Sequence, residues 1–196
     1  MNRKEKIHTR VITVNSYETG EDTLHVEGVL TDERFFPSLY YSRNRYIDPG
    51  IVHKMTVQLD IALPDLEIRQ ATAVMNEVPI GDCREIEAFA KKLVGLRIRP
   101  GFTRKVRSLL GGVEGCLHLT NLILTMGSAA VQGFWAYFSR RREGSVGVRA
   151  PGFDPGLLRD SCRIWREDGH LYARIRELQE EKRSRDSCRS WLHPVE

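Results

Sequence analysis

Residues 53–61 read HKMTVQLDI and alternate strictly between two kinds of side chain. Every second residue from Met55 to Ile61 is apolar, and the residues that alternate with them, from Lys54 to Asp60, are polar or charged. A period of two with one apolar face is typical of an antiparallel sheet that is wet on one side. This stretch therefore predicts the sheet around which the rest of the chain folds.

Three further stretches predict strands, at residues 8–14 (HTRVITV), 23–30 (TLHVEGVL) and 66–75 (LEIRQATAVM). The turn Leu63-Pro64-Asp65 joins the last of these to 53–61, which predicts a hairpin. The interval 35–50 is too long to be a turn and predicts a loop.

Beyond Pro79 the apolar period changes to about 3.6, which is typical of helices. Asp82 followed by Glu85 resembles a capping box and predicts a helix that stops at Gly95. A second helix is predicted over 102–110, where Gly111-Gly112 ends it, and a long, largely buried third helix over 115–138.

Strands followed by helices predict an α+β fold. We expect an antiparallel sheet of about four or more strands, with the helices packed on one face and the last helix as the long core helix. Residues 1–175 are predicted to form a single domain with its core at about 8–140. Residues 176–196 are predicted to form a charged, irregular C-terminal tail.

The region after the long helix is less regular in its pattern. The Gly- and Pro-rich stretch 144–156 predicts a loop, and residues 160–173 predict a strand pair around Asp168-Gly169. Residues 177–186 are highly charged, and we expect them to fray.

The composition excludes several classes of protein. The chain has 196 residues, with 30 Lys and Arg against 26 Asp and Glu, and this small basic excess does not by itself predict a nucleic-acid partner. No apolar run is long enough to span a bilayer, and the N-terminal residues lack the apolar core of a signal peptide, so we expect a cytoplasmic protein. Phosphate-loop, dinucleotide, serine-hydrolase and zinc-protease motifs are all absent from the sequence.

The chain has four cysteines, and two of them stand where helices are predicted to begin. Cys83 follows Asp82, and Cys116 opens the long helix two residues before His118. Residues two apart on a helix point about 200° away from each other, so this pair can share one ion only if Cys116 lies in a non-helical entry, which Gly115 permits. His53 shares the parity of Met55, which predicts that its imidazole points to the buried face.

His53, Cys83, Cys116 and His118 together would form a tetrahedral ligand set for zinc or an iron-sulfur centre, with Cys162 as a possible substitute. The alternative is that the thiols are small buried apolar groups and His53 is a hydrogen-bonded core histidine. Both interpretations stay open, because zinc modules usually show two short-spaced ligand pairs and this chain has one. Cys188 is expected to be incidental.

Two other groups of charged residues are candidates for a functional role. A basic cluster without intervening acidic residues could bind phosphate or an acidic partner, or be an ordinary solvated helix face; its members are Arg97, Arg99, Arg104, Lys105 and Arg107. Asp32 and Glu33 follow the predicted strand 23–30. They could act as acid or base, but acidic residues at strand ends usually belong to solvated turns, and this is the interpretation we favour for them.

The order of short motifs resembles the bacterial family called domain of unknown function 2889, over roughly residues 8–175. The motifs are Arg10 followed by a β run, Asp22-x-Leu24, Glu27-Gly28, Leu30-x-Asp32, His53-x-Met55, Pro79 to Cys83, Leu93-x-Gly95, Gly101-Phe102, Gly115-Cys116-x-His118-Leu119, Ala130-x-Gln132, Ser161-Cys162 and Asp168-Gly169. Leu117 stands where the family usually has Thr, and Ile80 where it often has an aromatic residue. The resemblance implies where a site lies and implies no reaction.

A more distant resemblance, over about residues 50–138, is to iron-sulfur cluster scaffold proteins of the IscU/NifU type. In those proteins ligands precede a strand, open a helix and stand before the last helix. His53 would take the position of an acidic ligand, and Cys83 is displaced by about one turn. This similarity of layout implies metal or cluster binding.

Three functional hypotheses follow. The first is a protein that binds or carries zinc, iron or an iron-sulfur cluster, with a metal-donor or metal-acceptor protein as its partner. The second is a cysteine-dependent enzyme acting on a small metabolite, with Cys116 as nucleophile and His118 or His53 as base. The third is a non-enzymatic interaction module that uses the basic cluster or the loop around Tyr40-Tyr41.

Overall fold

The computed structural model describes residues 4–20, 22–41, 44–141, 156 and 158–190. The chain divides into two compact units, Met1–Phe134 and Trp135–Glu196. The first unit contains the sheet and most of the long helix.

The first unit is built on a four-stranded antiparallel sheet in the order β1-β2-β5-β6. Its strands are β1 (His8–Glu18), β2 (Thr23–Arg34), β5 (Gly50–Ala62) and β6 (Glu67–Glu77). The predicted sheet and the hairpin of β5 and β6 are confirmed. All strands are longer than predicted, and the extension of β2 to Arg34 brings Asp32 inside the sheet. The predicted loop contains a small separate hairpin of β3 (Ser38–Tyr40) and β4 (Arg45–Ile47).

Alternation along the strands decides which face of the sheet is covered. Met55, Val57 and Leu59 are at most 1% exposed, whereas Lys54 and Gln58, at positions of the opposite parity, are exposed. Burying one apolar side chain contributes roughly 1.5–3 kcal/mol, so this face requires a covering layer. The covering layer consists of helices on one side of the sheet, which confirms the predicted α+β architecture.

The long helix α2 (Leu117–Arg141) lies across β2 at Gly28. A methyl group at Gly28 would come within 2.5 Å of Sδ of Met126 and 3.0 Å of Leu122, so glycine allows the helix to approach the sheet closely. The shorter helix α1 (Phe102–Leu110) packs the ring of Phe102 against Gly127 of α2 in the same way.

The helix ends differ from the predictions at two places. Residues Gly81–Leu93 form a 3-10 helix. Its N-cap residue is Ile80, which makes no side-chain capping hydrogen bond, so the capping box at Asp82 is not formed. A further 3-10 turn, Gly112–Glu114, leads to α2, which begins at Leu117 and leaves Cys116 before the helix.

The second unit contains the end of α2 and the helix α3 (His170–Ser190). The strand pair predicted in 160–173 is wrong, because residues 158–169 form turns and the Ala173 N–H donates to the Gly169 carbonyl at the start of α3. The charged segment 177–186 is part of this helix. Most of the predicted loop 144–156, and the side chain of Cys188, lie outside what the structure describes. None of the helices within the described ranges has the length and apolarity needed to cross a membrane.

Candidate functional site

A row of three polar residues crosses the helix-covered face near one end of the sheet. Asp32 on β2 is the register partner of Arg10 on β1 and of His53 on β5. Because directly opposed residues of antiparallel strands point to the same face, their three side chains meet. All three continue the parity of the apolar residues on their own strands.

Asp32 is the centre of this row and is only 3% exposed. Its Oδ1 accepts a hydrogen bond from Nε of Arg10 at 2.6 Å, and its Oδ2 accepts one from Nη2 at 2.7 Å. This bidentate ion pair compensates the buried carboxylate. The expectation that Asp32 is a solvated turn residue is therefore wrong, because β2 continues past it and its parity is that of buried Leu30.

Three histidines surround the same carboxylate. Nδ1 of His53 lies 3.1 Å from Oδ2 of Asp32, and Nε2 of His118, at the start of α2, lies 3.5 Å from that oxygen. Nε2 of the half-exposed His8 lies 3.3 Å from Oδ1. The rings of His53 and His118 stack, with centroids 4.0 Å apart.

The surroundings set the charge of each group. Burial would raise the pKa of Asp32, but the hydrogen bonds and charge of Arg10 lower it below its ordinary value. Burial lowers the pKa of His53 more than the nearby carboxylate raises it. Burial, together with His53 and Arg10, also lowers the pKa of His118. At neutral pH the site therefore combines a charged carboxylate with two neutral imidazoles.

Asp32, His53 and His118 form a group that could hold a metal ion. One possible ligand atom from each residue lies within 4.8 Å of the others. Metal bonds of about 2.0–2.2 Å place neighbouring ligand atoms about 2.8–3.6 Å apart, a range that includes the 3.1 and 3.5 Å separations from Oδ2 of Asp32. Neutral imidazoles and a carboxylate are the protonation states in which these groups bind metals.

The site opens into a cavity of about 510 Å³. Its lining combines the site with a second arginine and apolar side chains; the lining residues are Ile7, His8, Arg10, Asp32, Arg34, Phe36, Ser38, Val52, His53 and His118. This volume lies within the range of roughly 300–1,000 Å³ that small-molecule sites occupy.

The structure brings together part of the predicted ligand set. His53 and His118 meet, and Cys116 lies beside them, with its Sγ 3.8 Å from Nδ1 of His118. The non-helical entry that Cys116 and His118 need in order to face one ion is present, since Cys116 precedes α2 and its carbonyl accepts the first helical hydrogen bond, from Thr120.

The other two predicted ligands are not part of this group. Cys83 stands on the 3-10 helix that follows β6, and Cys162 is an exposed residue of the second unit. Neither belongs to the group formed by Asp32, His53 and His118, so within the described part of the chain the cysteines do not cluster.

Sequence reasoning assigned no site role to Arg10, His8 or Arg34, and it favoured a solvated turn over an acid or base role for Asp32. The available signal was parity, because Asp32 continues the buried series of β2, in which Val26 and Leu30 are fully buried. A buried carboxylate requires a partner of opposite charge, and in the structure that partner is Arg10.

The basic cluster is divided by the fold. Arg97 forms an ion pair with Glu67, with Nη2 3.2 Å from Oε2. Helix α1 buries Phe102, Val106 and Leu110 and exposes its basic residues, which are Arg104, Lys105 and Arg107; Arg99 is also exposed. An interaction through this face stays a prediction.

Comparison with known proteins identifies one family. The model of the family described as "Protein of unknown function (DUF2889)" matches residues 8–132, a shorter stretch than the motifs predicted, which contains every residue of the site. No curated protein and no solved structure matches the chain. The resemblance to iron-sulfur scaffold proteins therefore receives no support from these comparisons.

Proposed function

Since the chain belongs to the DUF2889 family of proteins of unknown function, we propose its function from the site itself: it binds one divalent metal ion through Asp32, His53 and His118. The observation that carries the proposal is the convergence of a buried carboxylate and two neutral imidazoles on one point. Two histidines and one carboxylate form the ligand set of open zinc and non-haem iron sites.

Arg10 supports this assignment by holding Asp32 in position and in its charged form. Each oxygen of a carboxylate has two lone pairs, so Oδ2 can accept from Arg10 and also bind an ion. The guanidinium charge repels a cation and thus weakens binding. We therefore expect the site to bind a metal ion more weakly while Asp32 keeps its ion pair with Arg10 than when that pair is absent.

Three protein ligands leave coordination positions open for water or a small molecule. A metal in such a site polarises a bound carbonyl or lowers the pKa of bound water, which is the usual basis of metal-dependent hydrolysis. Because the site adjoins a cavity of about 510 Å³, metal-assisted chemistry on a small molecule fits better than storage or delivery of an ion.

A second candidate is the cysteine-dependent enzyme, favoured by the 3.8 Å contact between Sγ of Cys116 and Nδ1 of His118. In this hypothesis His118 takes the thiol proton. Cys116 is not among the residues that line the cavity, and this is why the metal site is preferred.

Metal content tests the proposal. Protein purified without metal-affinity resin is dialysed against zinc, or against ferrous iron without oxygen, and analysed for bound metal. We expect about one equivalent in the wild type and in His25→Ala, and loss of metal in His53→Ala and His118→Ala. His25 is the matched control, because it pairs with Asp60 across the same two strands. Less than about a tenth of an equivalent in the wild type, or an unchanged content in His53→Ala, refutes the proposal.

The rate at which Cys116 is alkylated distinguishes the cysteine-dependent enzyme from the metal site. A metal-free protein in which iodoacetamide modifies Cys116 at once, and in which His118→Ala abolishes that reactivity, is the outcome that the cysteine hypothesis requires.

A further inference from the structure

We infer that the cavity binds a small organic carboxylate, and that Arg34 forms the ion pair with it. Arg34 is the register partner of His8, one row beyond Arg10 and Asp32, and its side chain lines the cavity. The inference rests on the proposed function, because it assigns a ligand to the open side of the same metal site.

The two arginines of the cavity differ in their partners. The guanidinium of Arg10 is occupied by both oxygens of Asp32. Arg34 is half-buried and makes no ion pair with any carboxylate in the described part of the chain. A guanidinium presents a fork of donors that matches a carboxylate, so Arg34 is the group left to recognise an anion.

The charges that line the cavity are unequal. Two guanidinium groups, those of Arg10 and Arg34, line the cavity together with one carboxylate, that of Asp32. One positive charge is therefore uncompensated, and a bound divalent metal would increase the excess. A cavity of this charge attracts anions.

The walls indicate what kind of anion fits. Phe36, Ile7 and Val52 line the cavity beside Arg34. Val52 is 9% exposed, whereas Phe36 and Ile7 are 42% and 71% exposed, so a ligand with an apolar body would cover exposed apolar surface. Apolar walls with one guanidinium suit a carboxylate attached to an apolar body better than a free phosphate, whose hydration they would remove without compensation.

Titration calorimetry with benzoate as the probe tests the inference on zinc-loaded protein. We expect benzoate to bind the wild type, and Arg34→Gln to bind it at least roughly tenfold more weakly with an unchanged zinc content. Arg34→Lys keeps the charge without the fork and should bind with intermediate affinity. Arg104→Gln, on the exposed face of α1, is the control and should bind like the wild type.

Several results overturn the inference. These are no binding of benzoate, equal affinity in the wild type and a folded Arg34→Gln protein, or equal affinity for benzoate and the neutral benzyl alcohol. Inorganic phosphate binding more tightly than benzoate, with the same dependence on Arg34, overturns the assignment to an organic carboxylate.

A failure of the metal proposal can be distinguished from a failure of the carboxylate inference. If the wild type takes up no zinc, the same titration on metal-free protein decides the anion site alone. A tenfold loss in Arg34→Gln then supports the carboxylate site without the metal, and equal affinities refute it.

Discussion

His53 and Asp32 occupy directly opposed positions on β5 and β2, and Nδ1 of His53 lies 3.1 Å from Oδ2 of Asp32. The same strands carry a second pair, His25 and Asp60, with Nδ1 2.6 Å from Oδ1, at positions of the opposite parity. The side chain of Asp60 is 34% exposed, whereas that of Asp32 is 4% exposed. The chemistry of the site therefore comes from burial and from the additional neighbours of Asp32, and the second pair provides a matched control.

Asp32→Asn should weaken zinc binding by at least roughly tenfold, because the amide keeps the shape of the carboxylate and loses its charge. Competition with a chromophoric chelator measures the affinity. Asp60→Asn removes the matching carboxylate and should bind zinc like the wild type. Equal affinities in Asp32→Asn and Asp60→Asn would contradict the assignment of Asp32 as a ligand.

Arg10→Met should lower the unfolding free energy of the metal-free protein by about 1–3 kcal/mol, because it leaves the buried carboxylate without its donors. Saturating zinc should stabilise this variant more than it stabilises the wild type, because no guanidinium then competes with the ion for Asp32. Urea denaturation with and without zinc measures both effects. Arg69→Met is the control, as the Arg69 side chain is 63% exposed and Glu67 keeps its second ion pair, with Arg97; the loss should be about 0–1 kcal/mol. A stabilisation by zinc that is smaller in Arg10→Met than in the wild type would show that Arg10 assists binding directly.

The metal-free protein should lose stability as the pH falls below about 6.5. Folding lowers the pKa of His53 and of His118, so between that pH and their lower native pKa values the unfolded chain binds more protons. Above about pH 6.5 these two histidines are neutral in both states and cause no loss of stability. Below about pH 4 the lowered pKa of Asp32 causes a further loss of stability.

Urea midpoints measured between about pH 5 and 8 check this dependence. The variant with both His53→Gln and His118→Gln should show a flatter curve over the same interval. A wild-type stability that increases towards about pH 5 would refute the assignment of neutral imidazoles in the folded protein.

Gly28→Ala should destabilise the protein by about 1–3 kcal/mol, because its methyl group would overlap buried Met126 and Leu122 where α2 crosses β2. Gly81→Ala is the control, since a methyl group there meets no atom within 4 Å. Thermal unfolding compares the two. A Gly28→Ala protein as stable as Gly81→Ala would mean that α2 does not approach the sheet this closely.

The cysteines should contribute little to metal binding. Cys83→Ser should bind one equivalent of zinc with unchanged affinity, because Cys83 stands outside the ligand group. Cys116→Ser should keep the stoichiometry and alter the affinity by a few-fold at most, since its sulfur lies 3.8 Å from Nδ1 of His118, and Nε2 of that ring is the nitrogen near Asp32. Elemental analysis and chelator competition provide the measurements. Loss of zinc in Cys83→Ser would favour the ligand set predicted from the sequence.

Local patterns were sufficient to predict most of the fold. The alternation in 53–61 predicted a strand and its buried face, because the pleat sends successive side chains to opposite faces regardless of what lies beyond. The glycine before Cys116 permitted the non-helical entry that the structure shows. The 3-10 form of Gly81–Leu93 was missed, because a helical period does not distinguish helix types that differ slightly in residues per turn.

The sequence by itself determined the sheet, its buried face and two histidines of the site, since these depend on the period and parity of neighbouring residues. Only the tertiary structure decided that Asp32 is the centre. Its partners Arg10 and His53 lie 22 and 21 positions away, and they meet it through the register of three antiparallel strands. His118 completes the group because α2 packs on that face of the sheet. Register and packing are set by interactions among distant segments, and no short stretch of sequence contains them.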